Sequence, residues 1–191
     1  LDKTFLDDLS KWREELARDI AKHPKNKKLL NDYTLNECVQ RILDRIVFFR
    51  VCEDREIEVE NTLLAVLQMH QSRPGVSLYS LLTQLFQQRR SLYNGLLFSP
   101  HESEQLEISD GVLIKILQGL NYPFSPYHFN EIGVEILGSI YERFLGKTIH
   151  LTAKTVRVEE KPEVRKAGDV YYTPQYIVNY IVDNTLGKLL Y

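Results

Sequence analysis

Apolar side chains recur at three- and four-residue steps through most of this chain, the period of an α-helix with one buried face. Phe5, Leu9, Trp12, Leu16 and Ile20 mark the first such face, over Leu1 to about Ala21. Lys22-His23-Pro24-Lys25-Asn26-Lys27-Lys28 interrupts it with a proline and a cluster of lysines. Thr34-Leu35-Asn36-Glu37 has the spacing of a capping box and predicts a second helix opening at Thr34 and running to about Glu53. Its apolar positions (Val39, Ile42, Leu43, Ile46, Val47, Phe49) cover more than one stripe, which predicts a place at the centre of a bundle.

Two further amphipathic patterns, Asn61 to His70 and Leu78 to Arg89, are split by Ser72-Arg73-Pro74-Gly75. Asn94-Gly95 and Ser99-Pro100 predict a surface excursion from Tyr93 to about Ile108. Asp110 to Leu120 reads as a short apolar helix ended by Asn121-Tyr122-Pro123-Phe124-Ser125-Pro126. Phe129 to Leu145 predicts a longer one, with Ile132, Ile136, Leu137, Ile140, Tyr141 and Phe144 on one face and Gly146 placed to terminate it. After Gly146 the pattern changes. Thr148 to Val158 alternates β-branched and polar residues, as one or two short strands would. Glu159 to Lys166 is charged, contains Pro162 and reads as a linker. The fold class that follows is mainly α: a multi-helix bundle, a short extended or β hinge, and one further helix. The division is a bundle over 1–146, an extended linker or short strands over 147–167, and the start of another domain over 168–191.

With 191 residues and 43% hydrophobic content the chain can bury a packed core. A formal net charge of −2 gives no general attraction to nucleic acid, so any such contact has to come from a local patch. The phosphate-facing candidates are Lys25, Lys27 and Lys28, beside Lys22, and the pair Arg89-Arg90; a solvated loop is the competing reading. No apolar run approaches the ~20 residues of a membrane span. The first residues are neither a signal peptide nor a start methionine, so the chain reads as a piece of a longer protein. Cys38 and Cys52 lie in an apolar segment and read as buried free thiols of a reducing compartment. The scattered histidines offer no metal-binding spacing. Arg41 with Asp44, and Arg50 with Asp54, are spaced to pair on a helix.

No phosphate-binding glycine loop, zinc-protease motif or nucleophile elbow is present. Glu159-Glu160-Lys161 holds a Glu-x-Lys element, but residues 143–158 offer no acidic partner for a nuclease site. No catalytic residue and no metal ligand is therefore assigned. The stretch that carries chemistry is Gly168-Asp169-Val170-Tyr171-Tyr172-Thr173-Pro174-Gln175-Tyr176-Ile177-Val178. Thr173 suits a helix N-cap and Pro174 the first helical position, ahead of Ile177, Val178, Ile181, Val182 and Leu186. The unpaired N–H groups of such a helix favour a carboxylate or phosphate.

Three stretches together carry a family resemblance. Leu43-Asp44-Arg45 through Glu53-Asp54-Arg55 and the helix Leu137-Gly138-Ser139-Ile140-Tyr141-Glu142-Arg143-Phe144-Leu145 resemble segments of the large single-chain type IIG restriction–modification proteins. Arg165 to Pro174 resembles motif X, the glycine–tyrosine–threonine–proline opening of adenine-N6 DNA methyltransferase domains. The resemblance implies that Thr173, with Tyr172 and Pro174 around it, touches the methionine end of S-adenosylmethionine. It also implies that Tyr171 or Tyr172 packs on the cofactor or on a flipped adenine. Asp169-Val170 stands where the family often has a single serine-like residue, which leaves open which tyrosine points inward.

The family's glycine-rich cofactor loop and Asn-Pro-Pro-Tyr motif do not occur in these residues. The implied role is then an inactive connector between nuclease and methyltransferase, within a cytoplasmic parent that methylates double-stranded DNA, with Mg2+ needed only if a nuclease domain precedes it. Two rivals stand beside this: a helical DNA- or protein-binding adaptor in which Thr173 is simply a cap, and part of a phage-defence methyltransferase without a nuclease. The oligomeric state is left open.

Overall fold

The structure is a computed structural model and describes residues 2–93, 95–152, 155–161, 173 and 175–190. Helix α1 (Asp2–Lys22) lays its predicted stripe against the core, with Phe5, Leu9, Trp12, Leu16 and Ile20 all buried. A 3-10 turn over Pro24–Asn26 follows. The buried Asn26 amide there donates to the carbonyls of Ile20 (3.0 Å) and Glu107 (2.8 Å). Helix α2 (Asp32–Asp54) is the central one and buries residues on several sides, as its wide apolar surface predicts.

The start of α2 corrects the sequence reading. Its N-cap is Asn31, whose side chain accepts from the Thr34 N–H at 2.9 Å, so Thr34 lies within the first turn. Asparagine caps as well as threonine does, and this choice also places the acidic Asp32 at the positive end of the helix.

Helices α3 (Thr62–Ser72), α4 (Leu78–Gln88) and α5 (Asp110–Leu120) complete the first part of the bundle, close to their predicted bounds. The stretch before α5 is more than a surface excursion. Two 3-10 turns, Leu96–Phe98 and Glu102–Gln105, fold it inward and bury Phe98, Ser103, Leu106 and Ile108. Phe98 meets Phe48, Phe49, Phe86 and Tyr93 ring to ring, with centroids 5.4–6.0 Å apart.

Helix α6 spans Val134–Leu145, shorter than predicted, because Phe129 to Gly133 is not helical although its apolar residues keep the period. Tertiary hydrogen bonds take that segment's backbone instead. The Phe129 N–H donates to Asp54 Oδ2 at 2.8 Å, and Arg55 donates to the Ile132 carbonyl at 2.9 Å.

Gly146 caps α6, and the chain turns directly into strand β1 (Lys147–Leu151), which pairs antiparallel with β2 (Val156–Glu160). Ile149 opposes Val158 and Leu151 opposes Val156, so one face of the hairpin is apolar; Ile149 and Val156 are buried. Glu159 and Glu160, read from composition as linker, are the end of β2, held by pairing with Thr148 and Lys147. Helix α7 (Gln175–Val182) continues through a π-helical stretch, Asp183–Gly187, into a last turn, Lys188–Leu190. The fold is mainly α with one short β-hairpin. Among the described residues no helix is long and apolar enough to cross a membrane.

Candidate functional site

Thr173 is exposed and lies two residues ahead of α7. Tyr171, Tyr172 and Pro174 fall outside the described residues. Along α7 the exposed side chains are bulky and largely apolar: Tyr176 (73% exposed), Tyr180 (70%), Ile181 (52%) and Val182 (44%), with Ile177 and Val178 half-buried. In the π-helical continuation, Thr185 Oγ1 donates to the Ile181 carbonyl and Asn184 Nδ2 to the Tyr180 carbonyl. Such side chains compete with main-chain N–H groups for helix carbonyls, which fits a widened turn there. A helix with this apolar surface uncovered, led by an exposed hydroxyl, can dock a further layer of structure and accept an anion at its head.

The basic candidates divide into two groups. Lys25 pairs with Glu107 at 3.0 Å, both groups well exposed, and Lys27 and Lys28 are exposed on the same loop. Arg89 and Arg90 are engaged inside the fold. Arg89 makes a two-pronged contact with Glu58 (2.9 and 3.0 Å), which also accepts the Tyr93 hydroxyl at 2.8 Å. Arg90 bonds Glu104 (2.5 and 2.7 Å) and the Phe98 carbonyl (3.0 Å), so its guanidinium fastens the 3-10 segment to α4. Burial alone would raise both carboxyls, but the donors outweigh it. Glu58 is held below the usual carboxylate range by Arg89 and Tyr93, and Glu104 by Arg90, Arg45 and Gln87.

Arg45, which sequence alone marks only as part of a charged helix, is the largest fully buried side chain among the described residues. It donates to the carbonyls of Leu97 (2.8 Å) and Ser99 (2.7 Å) and to Glu104 (3.0 Å), and lies over the Phe86 ring at 5.4 Å. Arg50 pairs with Asp54 as predicted and also with Glu53 at 3.2 Å. The predicted Arg41–Asp44 pair is replaced. Arg41 donates to the Leu96 carbonyl, whereas Asp44 accepts from Gln40 (2.6 Å) and Tyr141. Burial pushes the Asp44 carboxyl up to about 6, against the hydrogen bonds that favour its charged form. Asp44 and Tyr141 line an otherwise apolar groove of about 330 Å³ with Val47, Phe48, Leu97 and Leu137.

A third cluster ties the hairpin to the bundle. The Asn36 side chain accepts from the Ile149 N–H at 2.8 Å and donates to the Ile149 carbonyl at 2.6 Å. Asp32 accepts from the Leu151 N–H at 2.8 Å and faces His150 Nδ1 at 3.0 Å. These contacts hold the Asp32 carboxyl below its ordinary value, the Leu151 N–H first and His150 next. Arg13, buried between α1 and α6, donates to the Phe144 carbonyl at 2.8 Å; burial lowers its guanidinium to about 10. Cys38 and Cys52 are free and buried, as expected, and burial raises both thiols.

No family model matches the chain, and no solved structure matches it. The chain is similar to the type II restriction enzyme and methyltransferase RM.Eco57I of Escherichia coli, 32% identical over 187 residues. The match takes in 97% of this chain and 18% of that protein, so the chain spans less than a fifth of its relative's length. The resemblance to type IIG restriction–modification proteins thus extends along nearly the whole chain and supports reading it as a piece of such a protein.

Proposed function

We propose that this relative of a restriction–modification enzyme is the helical connector of a DNA adenine-N6 methyltransferase that uses S-adenosylmethionine, and that its last helix supplies one edge of the cofactor pocket. Residues 1–146 form the connector, 147–167 the passage out of it, and 168–191 the beginning of the methyltransferase domain. The observation that supports this best is the pairing of an exposed Thr173 with an uncovered apolar helix directly after it. A helix that belonged to the bundle would turn Ile181 and Val182 inward. Here they await another layer, as the first helix of a separate sheet-containing domain would.

In that role the Thr173 hydroxyl donates to the cofactor's carboxylate, and the helix N-terminus adds its positive dipole end. Tyr171 or Tyr172 would then serve as an aromatic wall for the cofactor or a flipped adenine, with Pro174 beside Thr173 at the cofactor's edge. Neither the family's glycine-rich cofactor loop nor its Asn-Pro-Pro-Tyr motif occurs in these residues, so the part assigned to this piece is structural. Double-stranded DNA is the substrate of the whole protein, and Mg2+ enters only if a nuclease domain lies ahead of this piece.

Calorimetric titration of S-adenosylmethionine into the full-length parent, with Thr173→Ala alongside, tests the reading. The variant is expected to lose roughly 1–3 kcal/mol of binding free energy, the cost of a hydrogen bond to a charged group. Wild-type protein that takes up no cofactor, or a variant that binds as tightly as wild type, would leave Thr173 as a plain helix cap.

A further inference from the structure

The loop lysines face a second feature that sequence does not bring to them. The end of α1, the loop after it and the tip of the β1–β2 hairpin enclose a cleft of about 230 Å³. Arg18, Lys22 and Lys27 line it, and Thr152, Thr155 and Val156 close it from the hairpin side. Val156 is buried and makes an apolar floor; the three cations and both threonines are exposed. The hairpin wall is preformed, since Thr152 Oγ1 donates to the Thr155 carbonyl at 2.6 Å and accepts the Thr155 N–H at 3.0 Å.

Arg18 has a carboxylate partner of its own, whereas Asp32, beside Leu151, is held by other groups. Glu14 pairs with Arg18 across one helical turn, both partly exposed. Asp32 is occupied by the Leu151 N–H and His150. Nor is Lys22 needed to cap α1, because the Ile20 carbonyl accepts from the His23 N–H and the Asn26 amide. Lys22 and Lys27, from two segments, with the Glu14-paired Arg18 at the rim, thus converge on one concave opening of a chain whose net charge is −2.

We propose that this cleft is an anion site that seats a backbone phosphate of duplex DNA, with Lys22 and Lys27 supplying the charge and Arg18 the rim. The inference rests on the reading of the chain as part of a DNA-acting enzyme. Phosphate contacts of this kind position a protein on the duplex without reading its sequence. They also leave a salt-dependence that counts them.

The test is fluorescence anisotropy of a short labelled duplex of mixed sequence titrated with this chain across a salt series. The double variant Lys22→Gln/Lys27→Gln is expected to bind several-fold more weakly at low salt. Its log–log salt slope should be shallower by about 0.9, the value for the one phosphate no longer neutralised. Lys22→Arg/Lys27→Arg should restore binding. Lys3→Gln/Lys11→Gln, an equal change of charge at exposed sites on α1, should leave the slope as it was.

Equal weakening by both glutamine pairs would overturn the site, and so would a wild-type chain that does not bind duplex. Inorganic phosphate that saturates the cleft, seen by amide shifts at Lys22 and Thr155, without displacing duplex would assign it to a free anion and overturn the DNA assignment. None of these results bears on the cofactor titration, so the two readings fail separately.

Discussion

Replacing Asn36 by leucine should detach the hairpin from the bundle. Asn36 acts as a third strand one residue long, since its amide meets both the N–H and the carbonyl of Ile149 at 2.8 and 2.6 Å. Ile149 is wholly buried, so no solvent stands ready to replace those bonds. Leucine keeps the volume and removes the pairing. Each buried main-chain group left alone costs roughly 1–3 kcal/mol. Two of them set a range of about 2–6 kcal/mol, and some relaxation of the hairpin places the expected loss near 3 kcal/mol. Asn36→Asp retains an acceptor for the Ile149 N–H and loses only the donor, so about half that loss is expected. Urea unfolding followed by the fluorescence of the single tryptophan, Trp12, gives the stability change. Amide exchange at Ile149 reports whether the hairpin itself has come free. A leucine variant within ~0.5 kcal/mol of wild type, with the Ile149 amide still protected, would refute the anchoring role.

Two more substitutions probe the core. Gly119 lies in α5 where an added Cβ would sit 2.6 Å from Trp12 Cζ2, so Gly119→Ala sets overpacking of about 1–3 kcal/mol against a helix-propensity gain of up to ~1. A net loss near 1 kcal/mol with a shifted Trp12 emission is expected, and unchanged emission with a raised Tm would show that the ring moves freely. Asp44 has a folded-state pKa raised to about 6, so its contribution weakens as pH climbs from the ordinary carboxylate range through 6 and the buried group is forced to ionise. Asp44→Asn keeps acceptors for Gln40 and Tyr141 and should flatten that decline. It should gain on the order of 1–2 kcal/mol over wild type at pH 8 relative to pH 4, with partial solvent access limiting the effect. Parallel stability curves over that range would exclude Asp44 as the titrating group.

Much of the scaffold was legible because it depends on period. All five stripe residues of α1 are buried, and α5 begins and ends where its turn residues place it. The errors fall where distant groups override local preference. Phe129 to Gly133 keeps a helical pattern, yet Asp54 and Arg55 take its backbone groups from more than seventy residues away. The ion pairs of Arg89 with Glu58 and of Arg90 with Glu104 were likewise hidden, because those partners are distant or sit in a loop that gives no periodic signal. Asn36 reads as an ordinary residue of a capping box until the hairpin is folded against it. A helix soon after Thr173 was readable, because threonine followed by proline is local start chemistry and needs no distant partner. The cleft shared by Lys27 and Thr155 was not, since only tertiary folding brings together residues so far apart.

Gly146 ends α6, and its carbonyl accepts the Lys161 N–H at 2.8 Å, so the hairpin starts and finishes at one point. In terms of the path of the chain, β1 and β2 are a detour that returns to its own origin. Whatever follows Lys161 departs from the end of α6, as it would if the intervening strands were absent. The length and shape of the hairpin tip can therefore change without moving Lys161 away from the end of α6. The surface that borders the cleft and the geometry of the connection are thereby two separately adjustable properties of one short segment.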